Sequence, residues 1–136
     1  MELRIDPGIG VGDLKLGMTR AEVRSCLGEP DKVPDGDEWE KWIYNRDMLV
    51  LYFEDDRLVL ICLHHPEMTL FSQKVYLMPL HRVIQLMEQN IPDPLSAVYE
   101  EHENGTCVAF GSLRMWLNFQ FDRLMSAEIG YTEEES

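Results

Sequence analysis

The residues with the most chemistry to offer are Cys62, His64 and His65, spaced as Cys-x-His-His, with His81 and His102 further along the chain. Thiolate and imidazole are zinc ligands, and a structural site needs four of them in a closed tetrahedron. The spacing speaks against one. Closed sites carry paired ligands at fixed intervals, residue 62 falls in a strongly apolar stretch, and adjacent histidines on an extended segment point to opposite sides. Cys107 with His102 offers a thiol and a base, but no surrounding pattern of a thiol enzyme. Carboxylates gather at Asp55-Asp56, Glu100-Glu101-Glu103 and Glu133-Glu134-Glu135, where solvated turns and a tail are a simpler account than an acid/base pair. There is no serine-centred elbow and no phosphate-loop lysine. Gly8-Ile9-Gly10-Val11-Gly12 lacks the preceding strand, following helix and third glycine of a dinucleotide fingerprint, and reads as a flexible loop leading to Leu14 and Leu16. Asn104-Gly105-Thr106 matches a glycosylation acceptor but serves better as a turn marker. No catalytic residue, metal or cofactor is therefore expected, and the chain is not read as an enzyme.

Composition narrows the partners. The chain has 136 residues with 25 acidic and 12 basic side chains, a net charge of −13, and 45% hydrophobic residues. That length suits one domain, residues 1–136, with a proper core. Residues 1–66 carry 14 acids and 8 bases and the rest 11 and 4, so neither half is a basic landing pad. Such a field repels phosphate backbones and anionic lipid, which excludes nucleic acid and membrane as expected partners. It speeds encounter with a basic protein. Three distant cysteines, Cys26, Cys62 and Cys107, read as reduced, buried small hydrophobes. With no signal-like N-terminus and no apolar run of membrane length, the expected location is cytoplasmic.

The elements that must position these residues begin with a helix at 19–28. Thr19 and Glu22 form a capping box, Met18 and Val23 a hydrophobic staple, Gly28 supplies the left-handed stop, and Pro30 forbids resumption. A helix this short must be pinned by packing of Val23, Cys26 and Leu27. Strands follow at 39–44, 48–53 and 58–63, with turns at Asn45-Arg46-Asp47 and Glu54-Asp55-Asp56-Arg57. Residues 31–38 are a polar connection.

The run Leu16-Gly17-Met18-Thr19-x-x-Glu22-Val23-x-x-x-Leu27-Gly28-x-Pro30, followed by Trp42-Ile43-Tyr44 and the strand ending at Phe53, resembles the SmpA/OmlA (BamE-like) module over roughly residues 9–63. By extension it is similar to the beta-lactamase inhibitor protein fold, which carries such modules in tandem. The resemblance implies a fold more than a function, since these modules occur as envelope assembly factors, as protein inhibitors and in proteins of no known role.

The second half is read as a repeat of the same plan. At an offset of 60, Met18, Val23 and Leu27 meet Met78, Val83 and Met87; at 66, Leu51, Phe53, Asp56, Arg57 and Leu58 meet Leu117, Phe119, Asp122, Arg123 and Leu124. A second helix runs from Pro79 through the stripe Leu80, Val83, Ile84, Met87 and Ile91 to Pro92 and Pro94. Strands at 96–101, 106–110, 113–121 and 124–129 follow, with a turn at Glu103-Asn104-Gly105. The expected fold is α+β: tandem helix-plus-antiparallel-meander repeats, about 9–66 and 67–131, forming one sheet with helices packed on one face, and an acidic tail at 132–136.

Alternation puts Leu51 and Leu117 on one face, and Tyr52, Trp116 and with them Trp42 on the other. The expected partner-binding residues are Trp42, Tyr52, Glu54, Asp55 and Trp116, with the aromatics as anchors and the acids steering a basic partner. The function this implies is a non-enzymatic protein-binding module of the inhibitor or immunity kind, neutralising a basic toxin or hydrolase. The alternative is a small-ligand or regulatory sensor with its pocket between sheet and helices.

Overall fold

The structure is a computed structural model describing residues 1–35, 39–92 and 96–130. In chain order it forms β1 (Arg4–Asp6), β2 (Gly10–Val11), β3 (Leu14–Lys15), α1 (Arg20–Leu27), β4 (Glu40–Tyr44), β5 (Leu49–Glu54) and β6 (Arg57–Leu63). There follow β7 (Thr69–Leu70), β8 (Gln73–Lys74), α2 (Leu80–Asn90), β9 (Ala97–His102), β10 (Gly105–Phe110), a single 3-10 turn, β11 (Met115–Gln120) and β12 (Arg123–Gly130).

Local chemistry accounts for α1. The Thr19 hydroxyl accepts from the Glu22 N–H at 3.2 Å and the Glu22 carboxylate accepts from the Thr19 N–H at 3.0 Å, so both ends of the capping box are closed. Gly28 stops the helix at φ 81°. α2 starts behind Pro79 without a side-chain cap, and its Leu80 N–H donates instead to the Asp122 carbonyl at 3.1 Å.

The strands make two sheets. Seven form an antiparallel sheet in the order β4-β5-β6-β12-β11-β10-β9, and five short ones form a smaller sheet, β3-β2-β1-β7-β8. One face of the large sheet is the core wall: Trp42, Leu51, Phe53, Ile61, Phe110, Leu117 and Ile129 are each at most 1% exposed. The second layer is mixed. Ile5, Val11, Leu14 and Leu70 from the small sheet join Val23 of α1 and Val83 and Met87 of α2 in the same hydrophobic cluster. Each such side chain stabilises by about 1.5–3 kcal/mol when fully buried.

This corrects the expected α+β architecture of tandem helix-plus-meander units on one sheet. Twelve strands in two sheets against two α-helices among the described residues make the chain mainly β. The segment expected as a loop before Leu14 is strand pairing, and its glycines serve close backbone approach rather than flexibility. A Cβ on Gly10 would collide with the Leu14 carbonyl, and Gly12 sits at φ 56° against the Glu2 carbonyl. Strands of two or three residues show no period of two, so alternation could not reveal them.

Local matches between the halves nonetheless exist. Leu58 N–H donates to the Met18 carbonyl at 2.8 Å and Leu124 N–H to the Met78 carbonyl at 3.0 Å. The pairing slips at Tyr52/Phe53 against β6 and again at Asn118/Phe119 against β12. The matches stop short of a repeated plan, because five strands follow α1, three of them in the large sheet, whereas four follow α2. The expected 132–136 tail, Pro94 and residues 36–38 of the polar connection lie outside the described residues. Cys26 is exposed on α1 rather than buried, and Cys62 and Cys107 are half-buried; all three are free thiols.

Candidate functional site

The face of the large sheet opposite the core is a set of rows fixed by strand register. Ile43, Val50, Cys62, Glu128, Trp116, Ala109 and Val98 stand opposite one another in sequence across all seven strands. Beside that row run Lys41, Tyr52 and Leu60 on one side, and Ser126, Asn118, Cys107 and Glu100 on the other. Between β4 and β11 these residues are half-buried, whereas their neighbours along each strand are almost wholly buried. The face is therefore neither core nor ordinary surface. Tyr52 and Trp116 are separated by three strand spacings, about 14 Å, and Glu54 continues the Tyr52 side of β5.

Glu128 is the centre of this face, between Cys62 and Trp116. Burial raises its carboxyl pKa above the ordinary value, and a hydrogen bond from Asn118 only partly offsets this. Asn118 also donates to the Ser126 hydroxyl at 3.1 Å, so one amide ties two polar side chains of β12. Among the described residues no cation is within salt-bridge reach of Glu128. Burial, with the Glu128 charge second, pushes the Cys62 thiol up to about 12. The Cys107 thiol is raised by burial and then by Glu128 and Glu100, so neither is a ready nucleophile.

Tyr52 and Trp116 thus lie on the half-exposed face as alternation predicts, with Trp39 edge-on to Tyr52 at 6.2 Å and Lys41 over its ring at 5.8 Å. Trp42 does not. It points into the core at 1% exposure, tilted on Phe53 at 4.7 Å, with its indole N–H donating to Glu40 Oε2 at 2.6 Å. That carboxylate also accepts from Arg20 Nε at 2.7 Å, and Arg20 Nη1 donates to Asp56 Oδ1 at 2.9 Å. The hydrogen bond from Arg20 is the main reason Glu40 is held below the usual carboxylate range. This is a clamp from α1 to the sheet, a structural role for Trp42. Asp55 and Asp56 form the β5–β6 turn at φ 51° and 59°; Asp55 is exposed and Asp56 belongs to the clamp.

The histidines do not converge. His65 Nδ1 accepts from the Glu67 N–H at 2.9 Å, His64 faces Tyr76 at 5.8 Å, His81 is exposed on α2, and His102 ends β9. No group of three or more His, Cys, Asp or Glu among the described residues is arranged to hold a metal ion. A groove of about 370 Å³ lies along α2, lined by Gln73, Arg82, Gln85 and Gln89 with Met78 and Leu86. One of about 260 Å³ lies at the sheet end between His102, Asn104, Asn118 and Gln120. No described helix is long and apolar enough to cross a membrane.

Sequence reasoning missed Glu128 and the Arg20 clamp. The signal for the first was an acid between Ala127 and Ile129 at the apolar end of its strand, and for the second an acid two residues before Trp42.

No family model and no curated protein matches the sequence. Among solved structures the fold is similar to that of an extracellular protein containing an SCP domain from Bacillus anthracis str. Ames, with a TM-score of 0.56 at 14% identity. It is also similar to a cysteine-rich secretory protein from Staphylococcus aureus subsp. aureus Mu50, with a TM-score of 0.55 at 12% identity. Each match covers 88% of this chain and 45% of the other, so the chain spans less than half the length of either protein. At this identity the likeness is one of fold.

Proposed function

We propose that the chain is a non-enzymatic protein-binding module that docks a basic partner on the half-exposed face of its large sheet, as an inhibitor or immunity protein does with a toxin or hydrolase. What supports this most is the sharing of one face by Tyr52 and Trp116, a spacing that suits two anchors of a single interface. Aromatic anchors dominate binding energy when a partner excludes water around them. The net charge of −13 supplies the steering, with Glu54 and Asp55 at one end of the face.

The test is capture of a partner from the native host at low salt, followed by titration of the purified partner against the parent chain and Trp116→Ala. Binding weakened about ten-fold or more by the substitution, and weakened further by salt, is the expected result. A partner that binds the variant as well as the parent, or a chain that captures none, overturns the reading.

A further inference from the structure

The middle of the face is built oddly for a purely apolar docking surface. Glu128 stands between an indole and a thiol, with Val50, Leu60 and Ala109 nearby on the same side of the sheet. A carboxylate taken partly out of water without a cation is unfavourable, and folding alone would be served better by an apolar residue. Glu40 and Asp56, by contrast, hold Arg20 at 2.7 and 2.9 Å. By register two cations flank this row: Arg114, two residues before Trp116 with its carbonyl accepting from the Gly130 N–H, and Lys41, two strands beyond Cys62 and engaged with the Tyr52 ring. Among the described residues neither forms a salt bridge with Glu128.

Given that the docking reading holds, we propose that this face receives an arginine side chain from the partner, its guanidinium stacked on the Trp116 indole and paired with the Glu128 carboxylate. Directly opposed residues on neighbouring strands have Cβ atoms about 4.5–5.5 Å apart. A planar cation can therefore lie against the ring while its N–H groups reach the acid. Arginine fits better than lysine because it stacks, donates in a fork to both carboxylate oxygens and is more weakly hydrated. Asn118 steadies the acid from the far side through its own hydrogen bond. An incoming guanidinium then relieves a charge the fold leaves uncompensated, and the acidic surface supplies the attraction that brings it there.

The experiment titrates acetylated hexa-arginine amide and hexa-lysine amide into the full chain at about 0.15 M salt, where loose attraction is screened, with the indole N–H resonances as reporter. The parent is expected to bind the arginine peptide more tightly, with the shift centred on Trp116. Glu128→Gln is expected to weaken it about ten-fold, while the control Glu88→Gln on α2 changes it less than about two-fold. Glu128→Gln removes a desolvated charge, so it folds. Equal affinity for the two peptides, no binding, no shift at Trp116, or equal effects of the two glutamine variants each overturns the proposal. The two readings separate on the captured partner. If Trp116→Ala weakens it and Glu128→Gln does not, the docking face stands and the arginine site falls; if neither does, both fall.

Discussion

The two faces of the seven-stranded sheet are made from the same strands, residue by alternating residue, and they obey different rules. On the core face Leu51, Ile61, Leu117 and Ile129 are fully buried, and the polar handles are satisfied: the Trp42 N–H donates to Glu40 and the Tyr44 hydroxyl to the Gly28 carbonyl. On the other face Val50, Cys62, Trp116 and Glu128 are only half-covered, and the acid has an amide for company but, among the described residues, no salt-bridge partner. The first face is complete in the isolated chain. On the proposed reading, the second is completed by a partner. Residues of the core wall and residues of the half-covered face are thus neighbours in sequence, one peptide bond apart.

The sharpest contrast is between two tryptophans. Trp42→Ala removes a fully buried ring and strands Glu40 without its indole donor, so a loss of about 3–5 kcal/mol in denaturant unfolding is expected. Trp116→Ala, on the half-exposed face, is expected to cost about 1 kcal/mol. Equal costs would mean that the two faces are equally buried.

Phe121 lies outside both faces, at the β11–β12 hairpin tip, 94% exposed with φ 51°. A bulky aromatic in the left-handed region is strained, and asparagine accepts it readily. Phe121→Asn should raise stability by about 0.5–1 kcal/mol in the same assay. A loss would show that the ring contributes to packing.

A smaller effect concerns Glu128 itself, and its sign is the useful part. Its folded-state pKa is raised from the ordinary 4.5, mainly by burial. Below about pH 4 the group is protonated in both states and has no differential effect. As the pH rises from the unfolded value through the raised folded one, the folded state must carry a desolvated charge and stability falls. Glu128→Gln should therefore be more stable than the parent at pH 7 and equal to it at about pH 4. A stabilising substitution that weakens binding is the mark of a residue kept for recognition.

Sequence reading reached the parts of this molecule that carry their own signals. The Thr19–Glu22 box, the β5 and β6 alternation, and the common side of Tyr52 and Trp116 follow from local chemistry and a period of two. It failed where only tertiary register decides. β1 to β3, β7 and β8 are too short to show a period, so the second sheet went unseen and the layer against the large sheet was expected to consist of the two helices alone. Trp42 was expected on the Tyr52 side, and only its pairing with Leu51 across β4 and β5 shows that it lies on the core side. Cys26 was expected to pack because it is apolar in type, yet Val23 is the residue α1 buries.

The three tryptophans also provide the most direct test of the docking face. With the purified partner, the indole N–H resonances should divide: that of Trp116 shifts or broadens and gains protection from solvent, while that of Trp42, buried and already bonded to Glu40, stays where it was. A titration in which the partner binds and Trp116 remains unperturbed would contradict the account.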